Sequence, residues 1–321
     1  CVMNAPPLLV SFTSVEKYIE ALPERHKENY STDIIALYSQ GLPPVVSKSC
    51  LAILFGFSND FIYTLATKPN KFYRSFSIRK GKKTRQIFAP KVGLKVIQKW
   101  LGSHLSNAIE FQPHVLGFVK GKSFADASKI HIGARWVLSI DIMDFFPSIN
   151  KTNVIQSLLS EGYSQKSAEL IADLCCLNNV LAQGSPASPV LSNLFMKEID
   201  LKLVQLSQTY NVCLSRYADD ITFSGIEDYP ESLLHELKVI FNESGLSLNT
   251  KKNYFADASQ GQRLMVHGLL VKQDKIALTK NYRNKLRAYK HMIENNKVAE
   301  KDIKRLTGHI NFSEFIESSP N

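Results

Sequence analysis

Two adjacent aspartates constrain the fold of this chain more than any other feature. Asp219 and Asp220 end the tetrapeptide Tyr217-Ala218-Asp219-Asp220, and runs 212–216 and 221–224 on either side are rich in β-branched, apolar and aromatic residues. The pattern predicts a β-hairpin with both carboxylates at its tip. Neighbouring carboxylates repel each other, and a hard divalent cation such as Mg²⁺ or Mn²⁺ would neutralise them. The alternative is an ordinary polar turn, because Asp is a common turn residue.

A third aspartate closes a second predicted strand. Residues 136–141 read as a buried strand whose alternation places Val137, Ser139 and Asp141 on one face. Burying a carboxylate is costly unless it is paired or bound to a metal ion. Carboxylates on two neighbouring strands can hold two metal ions about 3.5 to 4 Å apart, which suits in-line phosphoryl transfer.

Three ordered motifs resemble those of bacterial reverse transcriptases, most closely the retron type. They are Ser139-Ile140-Asp141 with Phe145-Phe146, the loop Gln183-Gly184-Ser185-Pro186-Ala187-Ser188-Pro189, and Tyr217-Ala218-Asp219-Asp220. The resemblance runs from about Arg79 to Val271. It implies an α+β right-hand polymerase with fingers, a palm built on an antiparallel sheet, and a short helical thumb. It also implies catalysis by Asp141, Asp219 and Asp220 with two Mg²⁺ ions, Mn²⁺ being the alternative.

The same resemblance implies roles for further residues. Ile142 belongs to both the metal site and the nucleotide site. The incoming nucleotide is bound by Arg85, Lys83 and Gln183, and Phe146 excludes a ribose 2′-hydroxyl. Lys252 protonates pyrophosphate, while nucleic acid lies along Lys120, Lys122, Gly184, Ser185 and Pro186. From the residues alone, Phe146 is equally explained as core filling before a turn, and Lys252 as a surface lysine.

Two stretches depart from the retron pattern. Where retron enzymes carry Asn-Ala-x-x-His, this chain reads Ala127-Ser128-Lys129-Ile130-His131 and retains only the histidine. Where they carry Val-Thr-Gly, it reads Val266-His267-Gly268. The histidines are otherwise scattered, so they do not predict a metal site of their own.

The charge distribution predicts a polyanionic partner. The formal net charge is +10 and the pI is about 9.2. Residues 61–109 contain no Asp or Glu, and two strand-like runs around Gly81 form a basic hairpin in that tract. A second basic segment, which includes Lys285, Arg287 and Lys290, predicts a thumb that holds duplex. The alternative for each segment is a solvated face.

Several local elements follow from periodicity. We expect a helix opened by Pro90 with Val92, Val96, Trp100 and Leu105 on its buried stripe. We also expect helices throughout 151–182 and one strand over 266–271. At 321 residues the chain is long for one core. The predicted domains are an N-terminal helical segment (1–60), fingers (61–135), palm (136–275, with the helical insertion) and thumb (276–321).

The resemblance implies an RNA-directed DNA polymerase. It would copy a dedicated structured non-coding RNA, serving as template and primer, into RNA-linked single-stranded DNA (msDNA). The expected partners are that RNA, the RNA–DNA hybrid, dNTPs and an effector protein for antiviral defence. Five cysteines with no C-x-x-C favour a reducing cytoplasm, and no apolar run is long enough to span a bilayer. The alternatives are another bacterial class, group II intron-like or defence-associated, and an inactive palm-fold RNA-binding protein.

Overall fold

A computed structural model describes residues 5–81 and 83–318 of the chain. Its helices, in chain order, are α1 (Val15–Glu20), α2 (Glu24–Ser39), α3 (Lys48–Phe55), α4 (Asn59–Thr67), α5 (Val92–Ala108), α6 (Phe124–Lys129), α7 (Phe145–Ser148), α8 (Lys151–Ser160), α9 (Gln165–Cys175), α10 (Ser188–Thr209), α11 (Leu233–Glu243), α12 (Lys280–Glu294) and α13 (Glu300–Ser318). Its strands are β1 (Tyr73–Lys80), β2 (Lys83–Pro90), β3 (Trp136–Asp141), β4 (Cys176–Leu177), β5 (Val180–Leu181), β6 (Cys213–Tyr217), β7 (Asp220–Gly225), β8 (Tyr254–Asp257), β9 (Met265–Val266), β10 (Leu269–Val271) and β11 (Ile276–Leu278). Helices and antiparallel sheets are mixed, which confirms the predicted α+β class.

The described chain forms two compact units. The first contains residues 5–112 and 144–200, and the second contains 113–143 and 201–318. The predicted fingers, palm and thumb boundaries stay a prediction beside this division. No helix in the described ranges is both long and apolar enough to cross a membrane.

The first unit is mainly helical, as predicted for its N-terminal segment. Ser47 and Ser58 cap α3 and α4, because their hydroxyl groups accept hydrogen bonds from the N–H groups of Cys50 and Phe61. The core of the unit is aliphatic and aromatic, and its fully buried side chains include Tyr18, Ile34, Leu51, Leu54, Ile62, Leu65, Leu94 and Trp100.

The basic hairpin is confirmed, and the start of the following helix is corrected. Strands β1 and β2 pair from Tyr73 opposite Pro90 to the tip of the hairpin. Pro90 ends β2 instead of opening α5, and the helix begins at Val92. Val92 is 75% exposed, because the buried stripe begins one half-turn later at Leu94.

The segment 151–182 is helical for most of its length. Helices α8 and α9 account for residues 151–160 and 165–175. The prediction is wrong at its end, where β4 and β5 form a short hairpin around Asn178 and Asn179. Both asparagines have positive φ angles, 52° and 62°, and two such residues build the tight turn that a hairpin needs.

The second unit is built on an antiparallel sheet with strand order β6-β7-β3-β8. Strand β3 lies between β7 and β8 and is buried along nearly its whole length, which explains its continuous apolar sequence. Helix α11 connects β7 to β8 and buries Leu233, Leu237 and Phe241.

A second, three-stranded sheet in this unit has the order β11-β10-β9. The single strand predicted over 266–271 is wrong, because the chain reverses at His267 and Gly268. Their φ angles are 50° and 83°, so a two-residue turn joins β9 to β10. The predicted thumb therefore begins with β11, and α12 and α13 complete it, packing around Leu286 and Ile316.

Candidate active site

The strand register of the second unit brings two of the predicted carboxylates together. Asp141 at the end of β3 is the direct cross-strand partner of Asp220 at the start of β7. Side chains of such partners project from the same face, with Cβ atoms about 4.5 to 5.5 Å apart. Asp219 lies in the turn before Asp220, and its carbonyl oxygen accepts a hydrogen bond from the N–H of Ile142 at 3.1 Å. The four residues predicted to hold metal are therefore neighbours.

The turn that carries Asp219 has a strained backbone. Tyr217 and Asp220 pair across it, so Ala218 and Asp219 are its two central residues. Ala218 has a φ angle of 60°, a left-handed conformation that favours glycine and costs about 1 to 3 kcal/mol for other residues. Such a conformation persists only where the surroundings enforce it.

Two neighbours enforce this conformation. Gly117 packs against the turn so closely that a Cβ atom there would lie 2.0 Å from the backbone nitrogen of Ala218. On β6, the fully buried Arg216 donates a hydrogen bond from Nη1 to the carbonyl oxygen of Ala218 at 3.3 Å. The segment containing Val115 runs parallel to β6 and forms backbone hydrogen bonds with Arg216. The turn that contains Asp219 is thus held by contacts to both the backbone nitrogen and the carbonyl oxygen of Ala218.

Asp141 is buried, and a predicted catalytic residue compensates its charge. Asp141 is 6% exposed. Its Oδ2 accepts a hydrogen bond from Nζ of Lys252 at 2.5 Å, and its Oδ1 accepts one from Nδ2 of Asn249 at 3.3 Å. The backbone N–H of Asn249 also donates to the Asp141 carbonyl oxygen at 2.8 Å. Lys252 therefore lies against the carboxylates, and a surface lysine without a partner is excluded.

The histidines of the two motifs that depart from the retron pattern, His131 and His267, are close enough to interact electrostatically. His131 is 1% exposed, and its two ring nitrogens lie 2.7 Å from the hydroxyl groups of Ser215 on β6 and Ser224 on β7. Burial, and to a lesser extent the nearby His267, lower the pKa of His131 to about 3. His131 is therefore neutral near pH 7 and ties together β6 and β7, the two strands joined by the turn that contains Asp219.

His267 lies closer to the carboxylates. Its ring centroid is 5.4 Å from that of Tyr217, and its Nδ1 lies 3.9 Å from Oδ2 of Asp220. Burial lowers the pKa of His267 to about 4, so the pair is not a charged ion pair near neutral pH. Its Nε2 is buried and makes no hydrogen bond to any residue in the described ranges.

The donor set of the turn suits a hard divalent cation. Carboxylate oxygens from Asp141, Asp219 and Asp220 are the ligands that Mg²⁺ and Mn²⁺ prefer. Among residues 5–81 and 83–318, no three His, Cys, Asp or Glu side chains already converge in a metal-binding geometry. The salt bridge to Lys252 occupies one oxygen of Asp141 instead.

In the first unit, the predicted nucleotide ligands Arg85 and Gln183 contact each other. With the amide oriented to satisfy both neighbours, Gln183 accepts from Nε of Arg85 at 3.3 Å and donates to the Gln86 carbonyl oxygen at 3.2 Å. The Gln183 carbonyl oxygen also accepts from the N–H of Phe88 at 2.8 Å. The loop is therefore fixed to β2 of the basic hairpin. The side chain of Lys83 lies outside what the structure describes.

The rest of the loop is shaped by close packing. A Cβ atom on Gly184 would lie 2.7 Å from the carbonyl oxygen of Phe88, and the φ angle of Gly184 is 125°. Ser185 is 4% exposed, and its hydroxyl accepts a hydrogen bond from the N–H of Ala187. Pro186 is half-buried. The backbone of Gly184 is exposed on its other side, whereas the buried Ser185 stabilises the turn through its hydroxyl group.

Phe146 and its neighbour Phe145 have different environments in α7. Phe145 is 5% exposed and belongs to the core of the first unit. Phe146 is half-buried, and its ring centroid lies 5.6 Å from that of Phe145. Only the Phe146 ring therefore has an exposed portion that could meet a nucleotide.

The predicted nucleic-acid-binding cations are exposed. In the second unit these are Lys120, Lys122, Lys285, Arg287 and Lys290. On α12, however, they do not form one face, because at about 100° per residue Lys285 lies about 140° or more from both others. Lys285 instead places its Nζ 5.6 Å from the Tyr289 ring centroid. Arg287 and Lys290 share a face with Arg283.

Sequence reasoning missed three residues of the carboxylate site: Arg216, Asn249 and the positioning role of Gly117. An arginine inside an apolar strand immediately before the tetrapeptide was the available signal for Arg216, because a buried charge needs a partner. Asn249 and Gly117 gave no comparable signal, since their contacts are with residues more than 100 positions away.

Comparison with known proteins agrees with this geometry. The family model for reverse transcriptase (RNA-dependent DNA polymerase) matches residues 78–283, more than half of the chain. The chain belongs to this family of RNA-directed DNA polymerases.

Several relatives that the chain is similar to are retron reverse transcriptases. The retron Ec86 reverse transcriptase of Escherichia coli is 29% identical over 255 residues, which cover 77% of each chain. The retron Se72 enzyme of Salmonella heidelberg is 29% identical over 76% of this chain and 66% of its own length. The retron Mx65 enzyme of Myxococcus xanthus is 30% identical over 69% of this chain and 56% of its own. Telomerase from Candida albicans is structurally similar with a TM-score of 0.47, 12% identity, and coverage of 76% of this chain and 55% of that one.

Proposed function

We propose that this enzyme copies a dedicated structured RNA, which is both template and primer, into single-stranded DNA that stays linked to the RNA. The observation that carries the proposal is the register pairing of Asp141 with Asp220, with Lys252 bonded to Asp141. Priming from a 2′-hydroxyl, the msDNA product, an effector protein, anti-phage defence and a cytoplasmic location belong to the same proposal. The similarity to retron enzymes supports these parts.

Two divalent ions, Mg²⁺ or Mn²⁺, would be held by Asp141, Asp219 and Asp220 with Ile142 beside them. When bound, they would activate the attacking hydroxyl and stabilise the charge on the leaving pyrophosphate. Lys252 holds a proton at Nζ next to these carboxylates, which makes it the donor for the leaving group. Arg216 and Gly117 keep the turn in position, so the carboxylates need little reorganisation during the reaction.

Substrate selection is assigned to the first unit. Arg85, and Lys83 on the same strand, would bind the triphosphate of a dNTP, and Gln183 would orient it through its contact with Arg85. The exposed part of Phe146 would exclude a ribose 2′-hydroxyl by steric clash. Lys120, Lys122, Gly184, Pro186, Arg287 and Lys290 would follow the nucleic acid backbone, and Ser185 would act by shaping its loop. The boundaries of the fingers at 61–135, the palm at 136–275 and the thumb at 276–321 are part of this proposal.

Replacing Asp219 with Asn tests the proposal. The amide removes one charge from the metal-binding set but leaves distant phosphate contacts unchanged. DNA synthesis on a primed RNA template should fall about a hundredfold or more, because losing an ion costs several kcal/mol and each 1.4 kcal/mol is tenfold in rate. RNA affinity, measured by titration on the same preparation, should stay within about twofold.

Asp228→Asn is the matched control, because Asp228 is an exposed aspartate in the same unit. It should synthesise DNA at the wild-type rate. Synthesis by Asp219→Asn at the control rate in Mg²⁺ would show that this carboxylate has no catalytic role. RNA binding without synthesis by the wild-type enzyme would instead support the inactive RNA-binding alternative.

A further inference from the structure

A cationic cavity lies in the second unit, outside the carboxylate site. It has a volume of about 300 Å³, at the lower end of the range for small-ligand sites. The four cations Lys129, Lys272, Lys275 and Arg283 line it, and among the described residues of its wall Glu317 is acidic. They come from α6, the β10–β11 turn and α12, so tertiary folding, not a local charge run, assembles the cavity.

Three of the cations that line the cavity have no acidic partner in the described part of the chain. Across the described ranges, Lys272, Lys275 and Arg283 make no ion pair with any acidic residue, and all three are exposed. Several uncompensated cations around a concavity concentrate anions there.

The wall of the cavity beneath these charges is apolar. Ile276, Leu278 and Ile316 line it and are 5%, 3% and 2% exposed, and the half-buried Ile132 and Ala277 complete it. A smooth duplex backbone would contact the cationic rim but could not use a concave aliphatic wall. An unpaired nucleotide uses both, because its base is flat and largely apolar while its phosphates are anionic.

The cavity is separate from the catalytic carboxylates. The N–H of Gly133 donates a hydrogen bond to the carbonyl oxygen of Lys272 at 2.9 Å. This bond fixes the β10–β11 turn beside the segment that precedes β3. Asp141 ends β3 at its other end, and a six-residue strand at about 3.3 Å per residue puts about 16 Å between its first and last residues. A nucleotide in the cavity is therefore not the one that reacts.

We propose that this cavity binds an unpaired nucleotide of an RNA strand, with the base against the apolar wall and the phosphates on the four cations. The proposal rests on the proposed function and deepens it, because it assigns a recognition site for a structural feature of the copied RNA. Arg283, Arg287 and Lys290 continue from the rim along one face of α12 over about 10 Å. That row of cations favours a strand with regularly spaced phosphates over a short acidic peptide.

The double variant Lys272→Glu/Lys275→Glu tests the charge of the cavity. Both side chains are exposed in a turn, so the fold should tolerate the change. The probe is an RNA hairpin with one bulged uridine, compared with the fully paired hairpin by fluorescence anisotropy in roughly 0.1 M KCl. Wild type should bind the bulged RNA about fivefold or more tightly than the paired RNA, and the variant should lose about tenfold or more of its affinity for the bulged RNA.

Two further variants separate shape from general charge. Ala277→Phe fills the cavity without changing its charge and should reduce the preference for the bulged hairpin to about one. Lys166→Glu/Lys238→Glu makes the same charge change at two exposed lysines elsewhere and should keep the preference for the bulge. If Ala277→Phe does not fold, the comparison of the two double variants decides the result.

Three results would overturn the proposal. One is equal binding of both hairpins by wild type, and another is an equal loss in the two double variants. The third is a glutamate-rich peptide containing leucine that competes at lower concentration than bulged RNA, which would assign the cavity to a protein partner. Extension of oligo(dT) on poly(rA), which offers no bulge, should be unaffected by Lys272→Glu/Lys275→Glu. Failure of wild type in that extension would count against the proposed polymerase function and not against the cavity.

Discussion

The buried His131 should make the second unit lose stability as the pH falls. Its pKa is about 3 in the folded protein, against 6.5 for an unperturbed histidine. Because the folded-state pKa is depressed, the unfolded chain takes up the proton first, and stability falls as the pH drops from 6.5 towards 3. Between pH 8 and pH 5, protonation of this residue in the unfolded chain lowers the unfolding free energy by about 2 kcal/mol. The reason is that pH 5 lies about 1.5 units below 6.5, and each unit lowers the unfolding free energy by about 1.36 kcal/mol.

The variant His131→Gln isolates this contribution. It cannot be protonated, so its stability loss between pH 8 and pH 5 should be smaller than that of wild type by about 2 kcal/mol. At pH 8 it should be less stable by about 1 to 3 kcal/mol, because one of the hydroxyl groups of Ser215 and Ser224 loses its partner. Urea unfolding followed by the fluorescence of Trp136, which lies in the same unit, gives both numbers.

His235→Gln is the matched control, because His235 is exposed on α11. Its stability should follow wild type at both pH values. The acidic residues and the similarly depressed His267 titrate in all three proteins and largely cancel in the difference. If His131→Gln and wild type lose the same free energy between pH 8 and pH 5, His131 is not held neutral by burial and the reasoning is refuted.

Two further substitutions test the site. Gly117→Ala should reduce the polymerisation rate about a hundredfold, because its Cβ would lie 2.0 Å from the backbone nitrogen of Ala218 and must displace the turn. Gly308→Ala is the control and should leave the rate unchanged, because no atom lies within 4 Å of its Cβ position. Equal rates for the two variants would mean that the position of the turn is not critical. Phe146→Val should raise ribonucleotide incorporation relative to deoxynucleotide incorporation about tenfold or more in competitive single-nucleotide assays, and an unchanged ratio would leave Phe146 as a packing residue.

The hairpin that carries Asp219 and Asp220 was predictable because its signals are local. Residues 212–216 and 221–224 are rich in β-branched, apolar and aromatic residues, and Asp219 and Asp220 fall at the reversal between the two strands. The apolar run before Asp141 predicted β3 for the same reason, and the basic hairpin followed from Gly81 between two strand-like runs. Each of these depends on residues within a few positions of one another.

The errors arose where tertiary packing chose between local alternatives. Pro90 is compatible with both a helix start and a strand end, and its pairing opposite Tyr73 selected the strand end. Residues 266–271 have strand propensity throughout. The turn at His267 and Gly268 depends on a histidine in the left-handed conformation, which is uncommon for residues other than glycine. That histidine then packs against Tyr217, about 50 positions earlier in the chain.

The sequence by itself determined the class of fold, the three aspartates and the family, because alternation, turn residues and ordered motifs are properties of short segments. Only the tertiary structure decided what surrounds those aspartates. Distant segments are joined by the register that opposes Asp141 to Asp220, by the hydrogen bond from Lys252 to Asp141, and by the contact between Gly117 and Ala218. The same holds for the cationic cavity, whose residues span positions 129–317. Such contacts depend on how whole elements pack, and a pattern within one segment carries no information about its partner.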